Sequence, residues 1–154
     1  MEKFGAYKIL KDKKLIVEYY SGDLTVKDLI FFKDVISKDQ NYNLYWNTIA
    51  DFRDSTVLAK NDELIQIVDF LKSKFKESEE SGVRTIAYLS SKPNEVALSV
   101  LYSLLVKNSG LNYNNIIASS IDVIIKNFDD NVITENEVVE IIDELKVQSN
   151  NLFD

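Results

Sequence analysis

The chain contains no cysteine and no histidine. Without cysteine there can be no disulfide, no thiolate metal site and no cysteine nucleophile. Without histidine the commonest general base near neutral pH and the commonest transition-metal ligand are both missing. Ser-His-Asp and Cys-His catalysis are therefore excluded, and neither a zinc site nor any cofactor is expected. Carboxylate, lysine or tyrosine chemistry is what remains. A single proline, Pro93, and four glycines leave few chain breakers. No apolar run approaches the roughly 18 residues of a membrane span, so no membrane insertion is expected. No apolar segment of a secretory signal follows Met1-Glu2-Lys3-Phe4-Gly5, and a cytoplasmic location is the plain expectation. Arginine is scarce, 2 against 16 lysines. With frequent asparagine, this resembles the bias of an AT-rich bacterial genome, and it makes Arg53 and Arg84 conspicuous.

What is present points to one globular domain. The 154 residues are enough for a proper core, and 45% of them are hydrophobic. The net charge of −7 opposes a nucleic-acid backbone, so no nucleic-acid partner is expected. The densest basic patch, Lys11, Lys13 and Lys14, falls where a solvated hairpin turn is predicted.

Hydrophobic periodicity divides the chain into alternating elements. Tyr7–Leu10 and Leu15–Tyr20 read as a β-hairpin, with Leu15, Val17 and Tyr19 on one face and Ser21-Gly22-Asp23 as a turn. Thr25 caps a helix, with Asp28 completing a capping box and Val26, Leu29, Ile30, Phe32 and Ile36 forming its apolar stripe. A third strand runs from Tyr42 to Phe52, and 53–60 is the loop after it. Asn61 or Asp62 caps a helix carrying Leu64, Ile67, Val68 and Leu71. The charged segment 76–81 and Gly82 end that helix. Val83–Leu89 is a strand few of whose residues are charged, as suits a parallel strand covered on both faces. Pro93 opens the most apolar helix, which is expected to be the most buried. Asn115–Ala118 is a short strand, Ile121–Phe128 a short helix, and 127–133 a break. Thr134-Glu135-Asn136-Glu137 is a capping box opening a last amphipathic helix, after which 148–154 is expected to fray. The order β-β-α-β-α-β-α-β-α-α predicts an α/β fold: a mixed, mostly parallel sheet with an antiparallel edge from the N-terminal β-hairpin, and flanking helices.

Three features resemble the bacterial SpoIIAA-like proteins of the STAS/SEC14-like group over about residues 5 to 128. They are the Gly22-Asp23-Leu24-Thr25 helix start after the hairpin, the Asp51-Phe52-Arg53-Asp54 close of the third strand, and the Pro93-Asn94 turn before an apolar helix. The resemblance implies a single SpoIIAA-like domain over 1–154, with 129–154 as a helical C-terminal extension. It also implies a role like that of anti-sigma-factor antagonists and transporter regulatory domains, or lipid binding as on the SEC14 side. The regulatory members carry Asp-Ser-Ser/Thr-Gly at the start of the helix after the third strand, and its serine is phosphorylated. Here Asp54-Ser55-Thr56 is followed by Val57, about six residues ahead of the predicted helix, and the helix start itself, Lys60-Asn61-Asp62, has no hydroxyl.

In open α/β sheets ligands sit at the carboxyl ends of strands. The candidate ligand- or partner-binding residues are therefore Asp51, Arg53 and Asp54, with Ser91 and Asn94 at the next strand end. Asp51, Arg53 and Asp54 also suit an internal ion pair, the reading preferred for them, with Arg53 holding a carboxylate by two bonds. Ser55 and Thr56 are possible phosphoacceptors, or loop hydroxyls bonded to backbone. The aromatics Tyr19, Tyr20, Phe31, Phe32, Tyr42, Tyr45 and Trp46 could line an apolar pocket or pack the core. The reading is a non-enzymatic regulatory module that binds a protein partner; the alternative is a binder of a small apolar or lipid ligand between sheet and helices.

Overall fold

Leu15 to Thr25 form a long strand that pairs with a neighbour on each side. The computed structural model of the chain describes residues 2–75, 83–111, 113–128, 133–148 and 153. In it this strand, β2, pairs antiparallel with β1 (Phe4–Leu10) and parallel with β3 (Asn47–Leu58). The parallel strands β4 (Arg84–Leu89) and β5 (Tyr113–Ala118) follow, so the five lie in the order β1-β2-β3-β4-β5. The result is the expected α/β architecture, a mixed sheet with one antiparallel pair.

The connections are α1 (Val26–Ser37), α2 (Leu64–Phe75) and α3 (Pro93–Asn108), with α4 (Ile121–Lys126) and α5 (Glu135–Val147) after β5. Alternation along the strands sends successive side chains to opposite faces. On one face Tyr20, Leu24, Ala50 and Ile86 pack against Leu29, Phe32 and Ile36 of α1 and Leu64, Ile67 and Leu71 of α2. On the other, Leu15, Val17, Tyr19, Ile49 and Leu89 pack against Ile121 and Ile124 of α4 and Val138, Ile141, Ile142 and Leu145 of α5. The C-terminal helix is thus one of the two layers that cover the sheet.

Local chemistry fixes the ends of these elements. Lys14 adopts the left-handed conformation (φ 50°) that closes the β1–β2 turn. The Thr25 hydroxyl accepts from the Asp28 amide at 3.2 Å while the Asp28 carboxylate accepts from the Thr25 amide at 2.8 Å. Thr134 and Glu137 repeat that reciprocal pair at 3.2 and 2.8 Å on α5. Each box satisfies backbone donors that a helix start otherwise leaves open. Gly5 is required by packing, because a Cβ there would lie 2.6 Å from Phe32 Cε2.

Three expectations are corrected. The third strand begins at Asn47, not Tyr42. Residues 42–46 are held in turns by Tyr42 N–H donating to Asp39 O at 2.9 Å and Tyr45 N–H donating to Asn43 Oδ1 at 2.9 Å. Nor does the strand stop at Phe52: Asp54–Leu58 pair with Ser21–Thr25, so both the predicted Ser21-Gly22-Asp23 turn and the predicted 53–60 loop are largely extended strand. Gly22 lies in this stretch with φ +83°, where a Cβ would meet the Glu2 carbonyl at 2.6 Å. Finally, α3 is not the most buried helix. Only Glu95 and Val106 are buried on it, while Val100 (47%) and Leu104 (52%) are exposed. Its apolar residues surround the whole helix, but α2 and β5 cover only one side of it. The predicted helix terminator at 76–82, the break at 129–132 and the tail at 149–152 and 154 lie outside the described residues.

Candidate functional site

Between Asp51 and Asp54 the β3 strand carries one residue more than β2, since Tyr19 pairs with Asp51 and Ser21 with Asp54. This bulge keeps both carboxylates on the α5 face despite their odd separation. Asp51 is fully buried, and Arg53 reaches it through Nε to Oδ1 at 3.0 Å and NH2 to Oδ2 at 2.8 Å. Asp54 accepts from Tyr19 Oη at 2.7 Å and lies 3.4 Å from Lys146 Nζ of α5. The Tyr19 bond holds the Asp54 carboxyl below the usual range against the opposing effect of burial, with Lys146 and Arg53 adding to it. Burial foremost, then the bond to Asp54 and the charge of that carboxylate, push the Tyr19 hydroxyl up. Asp51, Arg53 and Asp54 are thus brought together as an internally paired cluster that ties β2, β3 and α5.

The other candidates meet at the end of β3. Ser55 is fully buried, and its hydroxyl donates to Phe52 O at 3.0 Å. Lys92 donates to Ser55 O and lies 3.5 Å from Thr56 Oγ1, while Val57 N–H donates to Glu95 Oε1 at 3.2 Å. These contacts join the β3 end to the start of α3. Ser91 and Asn94 are exposed beside them. The α3 N-cap is Lys92, with no side-chain cap, so neither residue caps the helix.

Phe52 stands between Asp51 and Arg53 and faces the opposite side of the sheet. There a cleft of about 80 Å³ opens, walled by Phe52, Val57, Tyr88, Leu29, Ile67 and Leu98. Leu29, Leu64, Ile67, Glu95 and Leu98 all lie in the first two turns of α1, α2 and α3, so the cleft is at the carboxyl end of the parallel strands. Its walls are mostly apolar, with Lys33 and Glu95 among them. A smaller, more enclosed chamber of about 30 Å³ shares Lys33, Tyr88 and Tyr102 with it and is lined further in by Glu18, Tyr42 and Arg84. A larger depression of about 490 Å³ at the amino ends of the strands, lined by Lys14, Trp46, Asn47 and Thr85, has walls about as polar as apolar.

The chamber contains a buried charge cluster. Lys33 Nζ donates to both Glu18 oxygens, at 2.8 and 2.6 Å, and Tyr20 Oη donates to Glu18 Oε2 at 2.6 Å. Burial lowers the Lys33 pKa; Glu18 opposes this and the Arg84 charge adds to it. Arg84, 3% exposed, donates through NH2 to Thr48 Oγ1 at 2.5 Å and sits 5.7 Å from the centre of the Tyr113 ring. Burial pushes the hydroxyls of Tyr88 and Tyr102 up and that of Tyr113 up to about 12.

Sequence reasoning missed Glu18, Lys33, Tyr88, Glu95 and Tyr102, and noted Arg84 only as one of two arginines. Of the seven aromatics singled out, Tyr20 and Phe32 are fully buried core, Tyr42 lines the chamber and Phe31 is 49% exposed. The signal for the missed pair was a charge inside each apolar pattern: Glu18 within Leu15–Tyr20, and Lys33 at helical spacing between Leu29 and Ile36. Among the described residues no group of acidic side chains could hold a metal ion, and no helix is long and apolar enough to cross a membrane. No family model matches the chain, and no curated protein matches it.

Proposed function

We propose that the chain is a non-enzymatic, cytoplasmic binding protein of the SpoIIAA-like, STAS/SEC14-like kind, holding a small apolar molecule in the cleft between the sheet and α1–α3. The observation that carries this reading is the cleft itself: an opening at the carboxyl end of the parallel strands, with walls from three helix starts and Phe52 and Tyr88 of the sheet. Its size argues for a ring or a short chain. At roughly 10–15 Å³ for each water-sized centre, about 80 Å³ takes several in a row, which is too little for two acyl chains. The test is a methyl-resolved NMR titration with 4-phenylbutan-1-ol. Shifts confined to Leu29, Leu64, Ile67 and Leu98 support the reading; saturating alcohol that moves none of them overturns it.

A regulatory role through a protein partner is the second reading, and one observation favours it. Val100 and Leu104, one helical turn apart on α3, leave an apolar strip in solvent. A V100E/L104E variant that keeps its fold but no longer co-purifies with a protein recovered by the parent chain would support it.

A further inference from the structure

The chamber behind the cleft is lined by one carboxylate, Glu18, and three cations, Lys33, Arg84 and Lys74. Glu18 is already engaged by both bonds from Lys33 and by the Tyr20 hydroxyl. Arg84 has no salt bridge among the described residues: its terminal nitrogens reach Thr48 Oγ1 at 2.5 Å and Tyr42 Oη at 3.5 Å, and its Nε is buried without a hydrogen-bond partner there. A guanidinium stays protonated at any ordinary pH. Among the described residues the chamber therefore holds one buried positive charge in excess, inside a chain whose net charge is −7. A buried, unpaired charge is costly unless something neutralises it. Lys74 at the chamber wall lies 3.3 Å from Asp34, which Lys38 also holds, so it brings no free carboxylate to the chamber.

We propose that the chamber is the anion subsite of the cleft and that the bound molecule is a carboxylic acid, its carboxylate at Arg84 and Lys33 and its apolar body in the cleft lined by Phe52, Leu64 and Leu98. The inference rests on the cleft reading and adds the chemical class of the ligand. Three observations lead to it. The chamber and cleft share Lys33, Tyr88 and Tyr102, so a head in one is continuous with a body in the other. The unpartnered donor belongs to the group best shaped for a planar, two-oxygen anion. About 30 Å³ accepts two or three water-sized centres, which suits the two oxygens of a carboxylate and not the four of a phosphate. Glu95 at the cleft wall then disfavours a second negative group on the ligand's body.

The test compares 4-phenylbutyrate with the isosteric 4-phenylbutan-1-ol by calorimetry on the full chain. The acid is expected to bind at least tenfold more tightly. Arg84→Gln should collapse the ratio of acid to alcohol affinity from at least tenfold to about one, both measured on the same variant. Because Arg84 also holds Thr48, a second readout uses the parent chain alone. With only two arginines, the Nε–H spectrum has two signals, and that of Arg53, already bonded to Asp51, is the internal control. The acid should move the Arg84 signal and leave the Arg53 signal in place. Equal affinity for acid and alcohol, or a bound acid that leaves the Arg84 signal unmoved, overturns the inference and spares the cleft. Binding of neither compound overturns both.

Discussion

Arg53 and Asp51 stand two residues apart on one strand and hold each other by two side-chain bonds, Nε to Oδ1 at 3.0 Å and NH2 to Oδ2 at 2.8 Å, with the Arg53 amide adding a third at 3.0 Å. The pair is asymmetric: the Asp51 side chain is 1% exposed and that of Arg53 32%. Truncating the arginine strands a buried carboxylate, whereas neutralising the carboxylate leaves an arginine that can turn to water. Arg53→Ala is therefore expected to cost on the order of 3 kcal/mol, and Asp51→Asn about 1 kcal/mol, in urea unfolding. Equal losses would show that the pair is not buried on the Asp51 side.

Ser55 has its hydroxyl on Phe52 O at 3.0 Å and no exposed surface. Ser55→Ala should lose about 1 kcal/mol, and Ser55→Asp should lose far more by burying a carboxylate without a partner. Incubation of the native chain with cellular kinases should leave Ser55 unmodified by mass spectrometry. Stoichiometric phosphate at Ser55 on the folded chain would contradict its placement.

Alkaline pH should unfold the protein through its tyrosines. Six of the eight, Tyr7, Tyr19, Tyr20, Tyr88, Tyr102 and Tyr113, have hydroxyls raised above the usual value near 10, burial being the largest cause for each. A group whose folded pKa is raised contributes stability that is complete below its unfolded pKa and is lost as pH rises through the folded value. Tyr7 and Tyr113 are pushed up to about 12. Stability should therefore fall from about pH 10 upward, and phenolate absorbance should rise together with the loss of circular dichroism. Ionisation of all eight tyrosines before any unfolding would contradict the burial of these rings.

Each capping box should support the start of its own helix. Thr25→Ala and Thr134→Ala each remove an acceptor for an amide 3.2 Å away and should cost about 1 kcal/mol apiece. Thr25 should be the more sensitive, because Asp28 of its box also accepts from Lys3 at 2.7 Å. The check is the midpoint shift in denaturant at constant slope.

The alternation of elements was legible because each carries its own signal: caps at Thr25 and Thr134, an apolar stripe on α2, a hairpin turn at 11–14. The level of the candidate site in the fold was legible too, since the cleft and the Asp51 cluster both lie toward the carboxyl end of the strands. Its face was not. Phe52 and Asp51 are neighbours in sequence and opposites in the sheet, and the charged neighbours drew attention away from the aromatic. The reach of β3 past Phe52 was hidden because Asp54-Ser55-Thr56 has loop chemistry, while its extended form depends on pairing with Ser21–Thr25, a long-range contact with no local signature. The exposure of α3 was hidden for a related reason: composition states how apolar a helix is, and the neighbours decide how much of it is covered.

The most direct measurement is a crystal structure of the protein grown with 4-phenylbutan-1-ol. The predicted result is ligand density bounded by Leu29, Ile67, Leu98 and Phe52, with Tyr88 and Tyr102 at its inner end. Density only against Val100 and Leu104 on the outer side of α3, with the cleft filled by protein side chains, would contradict it.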